Sequence, residues 1–296
     1  MKRTAIIFFA FAVLLQACTK DNSHQKGVLS FSVAHENNIM VQTGTKATSA
    51  LPNIDCSNFT VNAGTGNNED TTSIVAASLF SSIEGKEFTV AQGSYVASAY
   101  NCTEEAAHPV NGFGQVRYYG KTSFSVTSGA LTTVEIPCSV ANSMVSVVLD
   151  NTFLTAFKAD ATTITISTNP ERTNRVLEFT LANGHLLTTD NTEEANTANT
   201  AFYPAGTNLY ITIKSQLHSL DGNGEIKSYT YKGNATSDGA SITTAIGTWH
   251  RIKIGADLSN APSGITIKVG QEQETIPNGI SLNGYNNGSE SIMEDK

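Results

Sequence analysis

The sequence predicts an all-β protein made of two Ig-like antiparallel β-sandwich domains in tandem. Three observations lead to this fold class. The 296 residues are rich in Thr, Ser, Asn, Gly and Val and only 15% are charged, a composition that favours short strands separated by turns. Apolar and polar residues alternate in many short runs, as in antiparallel sheets that are solvated on one face. A compact apolar run over 144–149 begins the pattern afresh and predicts a domain boundary just before it.

The N-terminus reads as a secretory signal peptide over residues 1–17. A basic start is followed by an apolar run over 4–15, which is too short for the roughly 20 residues that span a bilayer. The segment Leu15-Gln16-Ala17-Cys18 resembles the bacterial lipobox, in which the chain is cut before the cysteine and lipid is attached to its thiol. We therefore expect Cys18 to carry lipid such as palmitate and to anchor a polar tether, 18–27, to the outer membrane. The alternative is an ordinary cleaved signal with a coincidental cysteine.

Charge and cysteine content narrow the classes of function. The net charge of -8 argues against nucleic acid, whose phosphates need a cationic surface. It also argues against a second, electrostatic contact with an anionic membrane. Once Cys18 is lipidated, Cys56, Cys102 and Cys138 can form one disulfide and leave one thiol, and their spacing does not choose the pair. Buried, inert thiols are the alternative.

The N-terminal domain is predicted over 28–141. Its first strand is 28–33, followed by a strand at 59–63 and by short strands at 116–119, 124–126 and 134–138. The runs 88–90 and 93–100 predict a hairpin that turns at Gln92-Gly93. Pro137 cannot donate to a ladder, so it should lie at a strand edge or end. Residues 73–83 fit a helical stripe or a loop plus strand, and the nearby Gly85 favours the second.

The C-terminal domain is predicted over 142–270, with strands at 144–149, 163–167, 176–181, 249–254 and 265–269. Asn183-Gly184 predicts a two-residue hairpin turn after 176–181. The runs 209–213 and 226–231 predict a second hairpin around the glycine-rich tip 221–224. The segment 271–296 is polar apart from Ile276, Ile280 and Leu282, which suits a mobile strand or a disordered tail.

No catalytic constellation emerges, so we expect neither an enzyme nor a metal or cofactor site. There is no His-Glu-x-x-His pair and no Gly-x-Ser-x-Gly elbow, and Glu104-Glu105 on a polar loop suits a solvated pair. The calcium-loop start at 221–225 fails further on, where Ile226 replaces the required glycine. Tyr118-Tyr119 and Trp249 could form a ligand platform, although core packing is the commoner use of such residues. The six histidines are scattered: His24, His35, His108, His185, His218 and His250.

A series of short motifs runs in order along most of the chain. They are Leu15-Gln16-Ala17-Cys18, the run 27–33, Thr45-Lys46-Ala47, 93–99, Tyr119-Gly120, 133–138, 141–147 and Trp249-His250-Arg251-Ile252. Their order resembles the fimbrillin-like lipoproteins of Bacteroidales, subunits or accessory proteins of type V pili, and within them a group described only as a domain of unknown function. The resemblance implies transthyretin-like sandwiches and a role in fimbriae or adhesion at the cell surface.

The resemblance also implies assembly by strand exchange with other fimbrial subunits. A protease removes the first strand after a basic residue, and the groove accepts a strand from the next subunit. The exchanged strand here would hold Val28, Leu29, Phe31 and Val33, and the cleavage site would be Lys46. The donor strand would hold Ile276, Ile280 and Leu282. Because the best-known pilins use arginine at the cleavage site, an anchor or stand-alone lipoprotein is the other outcome.

Two further functions remain as alternatives. A surface lipoprotein that binds a glycan, on the host or on a bacterial surface, would show aromatic residues clustered beside a polar cleft on one exposed face. An enzyme would show paired carboxylates converging in a pocket.

Overall fold

The computed structural model describes residues 26–31, 55–65, 72–179, 185–186, 200–218, 226–259, 265–275 and 280–282. Helices in this part are single short turns: α1 (Phe80–Ile83), α2 (Glu104–Ala107), α3 (Asn151–Ala156) and two 3-10 turns at Cys56–Asn58 and Ala159–Ala161. No helix among the described residues is long and apolar enough to cross a bilayer. The rest is strand and loop, so the predicted all-β fold is confirmed.

The first half of the chain forms a β-sandwich from a three-stranded and a six-stranded sheet. The sheet orders are β4-β1-β7 and β18-β8-β6-β5-β2-β3. Leu29 and Val134 from the small sheet and Ala99, Tyr118 and Ile136 from the large one are buried in a common core. The strands are β1 (Lys26–Phe31), β2 (Thr60–Thr65), β3 (Thr72–Leu79), β4 (Glu87–Ala91), β5 (Gly93–Tyr100), β6 (Tyr118–Val126), β7 (Leu131–Val134), β8 (Ile136–Val140) and, from the end of the chain, β18 (Ile280–Leu282).

The second half forms another sandwich. Its sheets run β11-β10-β14-β15 and β12-β9-β16-β17, with β13 also paired to β9. Ile164 and Ile213 from the first sheet meet Val147 and Ile254 from the second in its core. The strands are β9 (Ser143–Leu149), β10 (Thr163–Ser167), β11 (Leu177–Phe179), β12 (His185–Leu186), β13 (Ala201–Tyr203), β14 (Tyr210–Gln216), β15 (Ser228–Gly233), β16 (Thr248–Asp257) and β17 (Thr266–Thr275).

The two sandwiches share one departure from the expected antiparallel pattern. Most of the described pairings are antiparallel, but β1 runs parallel to β7, and β9 runs parallel to both β16 and β12. In each half, therefore, the first strand is inserted beside a strand that comes much later in the chain. All seven residues of β9 are buried, in agreement with the compact apolar run that predicted a buried strand.

Two predicted hairpins are wrong, while a third is confirmed. β4 pairs with β1 and β5 pairs with β2 and β6, because a single residue, Gln92, separates β4 from β5 and carries the chain from one sheet to the other. β11 pairs with β10, whereas β12 joins β9 in the opposite sheet, so these strands do not form the hairpin predicted at Asn183-Gly184. The predicted hairpin between β14 and β15 is present.

The segment 73–83, for which the sequence allowed either a helix or a loop plus strand, contains both a strand and a helical turn. It forms β3 and then one helical turn, α1, which buries Phe80 and Ile83. The first strand begins at Lys26 and is described to Phe31, two residues earlier than the predicted start at 28.

Candidate functional site

The strand proposed for exchange, β1, is hydrogen-bonded on both sides. It pairs antiparallel with β4, with Leu29 opposite Phe88, and parallel with β7, with Leu29 opposite Thr132. β1 is thus the central strand of its sheet. Removing it would leave two facing rows of unpaired backbone groups, and such a groove can accept another strand.

Alternate side chains of β1 face the core. Leu29 is 0% and Phe31 is 4% exposed, and the Phe31 ring meets the edge of Phe88 at 6.2 Å between centroids. Val28 and Ser30 point to the other face and are half-buried. Specificity in this groove would therefore come from the pockets that Leu29 and Phe31 occupy.

The start of β1 fits tightly against the turn between β6 and β7. The Gly129 amide donates to the Lys26 carbonyl, and the Val28 amide donates to the Ala130 carbonyl, each at 2.9 Å. A Cβ on Gly27 would lie 2.3 Å from the Thr127 carbonyl oxygen and 2.6 Å from Val126 Cγ1. Only glycine fits here. The sequence pattern assigns Gly27 to the tether and does not predict this role, for which a glycine directly before an apolar strand is the available signal.

The candidate donor strand lies on the other sheet of the same half. β18 pairs antiparallel with β8, with Ile280 opposite Cys138, Ser281 opposite Pro137 and Leu282 opposite Ile136. β8 pairs with β6 only through residues 138–140. Pro137 therefore lies outside the ladder with β6, as its missing N–H requires.

The remaining candidate residues lie outside the described residues. They are Cys18, Val33, Lys46 and Ile276, together with the signal peptide and the calcium-like tip at 221–225.

The aromatic residues proposed as a ligand platform serve other purposes. Tyr118 is fully buried, and burial raises its pKa to about 12. Trp249 is buried too, and its Nε1 donates to Ser146 Oγ at 2.9 Å. Tyr119 lies beneath the Arg117 guanidinium, whose carbon is 4.9 Å from the ring centroid. Tyr118 and Trp249 therefore offer no open ring face of the kind that a sugar platform needs, and Tyr119 is in contact with Arg117.

Glu104 holds two basic groups rather than acting in a carboxylate pair. Its Oε1 lies 2.9 Å from Arg117 Nη1 and its Oε2 lies 3.1 Å from His108 Nδ1. Among the described residues no group of three or more His, Cys, Asp and Glu is arranged to hold a metal ion.

The three cysteines of the folded part are free thiols. Cys56 and Cys138 are buried, and burial is the main cause that raises their pKa values, to about 11 and about 12. Cys102 is half-buried and its pKa is also raised by burial. High pKa values keep thiols protonated and unreactive, as expected of inert cysteines.

The chain belongs to the family described as a domain of unknown function, DUF4493, whose sequence model matches residues 25–283. This confirms the domain-of-unknown-function group to which the motifs pointed. No curated protein matches the chain.

Solved structures of proteins described as cell adhesion or fimbrial proteins are similar over most of the chain. A proposed cell adhesion protein from Bacteroides eggerthii is 12% identical, with a TM-score of 0.46, covering 84% of this chain and 96% of its own. A fimbrial assembly protein from Parabacteroides distasonis is 10% identical, with a TM-score of 0.37, covering 84% and 98%. The fimbrial anchor protein Mfa2 from Porphyromonas gingivalis is 9% identical, with a TM-score of 0.38, covering 85% and 98%. All three TM-scores are low, so these likenesses add nothing to the evidence on function.

Proposed function

We propose that this protein is a lipid-anchored, surface-exposed fimbrial subunit of the type V pilus kind, which assembles with other subunits by strand addition. The stalk, adhesion and anchor roles differ in whether the first strand is removed. The proposal combines the lipobox-like Cys18 and the ordered motifs of the sequence with one structural observation. That observation is the central position of β1 between β4 and β7.

The position of β1 makes strand replacement physically reasonable. A departing β1 would uncover the pockets of Leu29 and Phe31, and emptying such sites costs about 2–5 kcal/mol for each large apolar side chain. A new strand that restores the hydrogen bonds to β4 and β7 and fills both pockets would then bind favourably in the same groove. Ile276, Ile280 and Leu282 supply apolar residues with even spacing between 280 and 282, which matches the period of a strand.

Cleavage after Lys46 would release β1. The chain between β1 and the 3-10 turn at Cys56–Asn58 contains this lysine, so one cut separates the strand covalently from the rest of the fold. A trypsin-like protease cuts after lysine as well as arginine.

The N-terminus of the protein on cells and in sheared surface fibres tests the proposal. Mass spectrometry should find Ala47 as the first residue in fibres. Lys46→Ala should abolish fibres and leave the chain in the membrane. The matched control is Lys232→Ala, at an exposed position in β15, which should assemble normally.

Lipidated Cys18 still attached to fibre subunits would reject the polymerising form of the proposal. If the lipidated chain is instead found once at each fibre base, the anchor role is the correct one. Absence of the protein from surface fibres in cells that make the wild-type chain and in cells that make Lys232→Ala would reject a fimbrial role altogether.

A further inference from the structure

The junction between the two sandwiches holds an arginine for which the described part of the chain supplies no countercharge. Arg175 lies in the turn between β10 and β11 and is 8% exposed. Its guanidinium carbon sits 4.4 Å from the centroid of the Tyr203 ring, in β13. Nη2 reaches two carbonyls of the first half, Gly112 at 3.5 Å and Phe113 at 3.4 Å, and both contacts are long.

Most of the hydrogen-bonding capacity of Arg175 is unused. Nε and Nη1 are buried and have no hydrogen-bond partner among the residues that the structure describes, and together they carry three N–H groups. Two more buried polar atoms without a partner belong to Tyr203, through its hydroxyl, and to His108, through Nε2. Buried polar groups normally have a partner in the protein or in bound solvent, so this concentration of unmet groups calls for a ligand.

The three side chains are close enough to influence one another. Burial is the main cause that raises the pKa of Tyr203, and the Arg175 charge opposes it. Burial is also the main cause that lowers the pKa of His108. Glu104 opposes this shift, whereas Arg175 and Arg117 reinforce it.

The local carboxylate is already engaged elsewhere. Glu104 binds Arg117 with one oxygen and His108 Nδ1 with the other, and its side chain is 60% exposed. No ion pair within the described residues reaches Arg175. A buried cation without a countercharge is expensive, and water would satisfy its N–H groups without neutralising it.

The two halves are joined by hydrogen bonds and ring contacts at this junction. The Phe202 amide donates to the Phe113 carbonyl at 2.7 Å, and the Phe113 ring meets Phe179 edge-on at 5.4 Å. Asn142 donates to the Gln115 carbonyl at 2.9 Å and accepts from the Arg117 amide at 3.1 Å. A ligand held here would therefore tie the first sandwich to the second.

We propose that the junction binds one small anion, held by Arg175 and Tyr203 Oη. The anion supplies the acceptor that four buried donors lack, the three N–H groups of Arg175 and the Tyr203 hydroxyl, and the negative charge that no described residue supplies to Arg175. Because these groups are enclosed, the ligand is of the size of chloride, phosphate or a short carboxylate. Binding stabilises the folded chain, since only the folded state brings the two halves together.

Thermal denaturation of the full chain tests this at constant ionic strength. Chloride, phosphate and acetate are each exchanged against a bulky organic anion that is too large for the enclosed site. At least one small anion should raise the Tm in a saturable manner, and calorimetric titration of that anion should give a single site. The anion that saturates at the lowest concentration identifies whether the site prefers a halide, a phosphate or a carboxylate.

Arg175→Gln should abolish the saturable rise in Tm. Arg172→Gln is the matched control, because Arg172 lies in the same turn, also has positive φ and stacks on a different ring, Tyr210. It should keep the wild-type response. If Arg175→Gln does not fold, Tyr203→Phe removes one donor and should weaken anion affinity several-fold.

Two results would overturn the anion site. The first is a wild-type Tm that responds to small anions no more than to the bulky one, which would leave buried water as the partner of Arg175. The second is a response that persists unchanged in Tyr203→Phe and in Arg175→Gln.

Discussion

Gly120 shows how a single hydrogen atom in place of a side chain sets the spacing of β6 and β8. A Cβ at this position would lie 2.1 Å from the Pro137 carbonyl oxygen and 2.7 Å from Cys138 Sγ. The nearest contact is backbone, which cannot move without breaking the ladder. Gly120→Ala should therefore destabilise the chain by about 1–3 kcal/mol, the usual cost of overpacking. Urea unfolding measures this as a lower midpoint.

The control for this change lies in the neighbouring strand. A Cβ on Gly93, in β5, would meet only Tyr95 ring atoms at an ordinary 3.6 Å. Gly93→Ala should change the free energy of unfolding by no more than about 0.5 kcal/mol. Equal losses in the two variants would show that the contact with the Pro137 carbonyl is not what makes Gly120→Ala destabilising.

At the residue scale, the sequence predicts whether a residue lies in a strand or at its end better than it predicts which residues its side chain contacts. Pro137 was expected at a strand edge or end because of its missing N–H, and the structure agrees. The contrast between Tyr118, fully buried, and Tyr119, under Arg117, was not predictable, because it depends on which face of β6 meets the core. No sequence motif indicates the burial of Arg175, because the residues that contact it, Phe113 and Tyr203, come from distant parts of the chain.

Among the elements, β1 and β9 occupy equivalent places but differ in how firmly they are held. Each is the first strand of its half and is paired in parallel with a late strand. β1 is exposed or half-buried at three of its six residues, whereas β9 is buried throughout. Burial on both faces should confine opening of β9 to global unfolding, while β1 can open alone.

Hydrogen exchange followed by mass spectrometry checks this difference. Amides of β1 should exchange faster than those of β9, with a protection gap of at least tenfold at neutral pH. Leu29→Ala should widen the gap, because it empties a core pocket of β1 alone. Equal protection of the two strands would contradict easy release of β1 and weaken the case for strand exchange.

At the element scale, local patterns identify strands but not their neighbours. The strand of alternating residues at 163–167 and the buried run at 144–149 were both found from periodicity. The hairpin expected at Asn183-Gly184 is absent because β12 pairs with the apolar strand β9 instead of with β11. A turn motif carries no information about such a pairing with a distant strand. The parallel pairing of β1 with β7 spans about a hundred residues, which no local pattern can encode.

The whole molecule behaves as two sandwiches whose cores touch. Met144, Phe202 and Trp249 belong to strands of the second half but pack in the core of the first. The change in sequence pattern predicts a boundary at 141–142, and these three residues show that side chains from the second half pack across that boundary. Interlocking of this kind favours cooperative unfolding, so stability is best treated as a property of the full chain.

Acidification should weaken the full chain through one histidine in each half, the half-buried His108 and the buried His250. Burial is the main cause that lowers the pKa values of His108 and His250. In the folded state His250 accepts from the Ala245 amide through Nε2 at 3.0 Å and contacts the Gln271 amide through Nδ1. The unfolded histidines titrate near about 6.5, so below that pH the unfolded chain binds more protons than the folded chain. The free energy of unfolding should therefore fall from pH 7.5 to about 5.5, a window above the titration of ordinary carboxylates.

Urea unfolding across that range gives the number of protons taken up, which should approach one for each of the two histidines. His250→Gln keeps an acceptor but cannot titrate, so its pH dependence should be shallower by up to one proton. His218→Gln, at an exposed position, is the control and should follow the wild-type slope. Two results would contradict this prediction: a free energy of unfolding that does not change from pH 7.5 to 5.5, or a pH dependence that His250→Gln leaves unchanged. Either result would show that protonation of the buried His250 imidazole does not destabilise the folded chain. In that case the Gln271 side chain, by turning its amide oxygen to the ring, is the group that accommodates the charge.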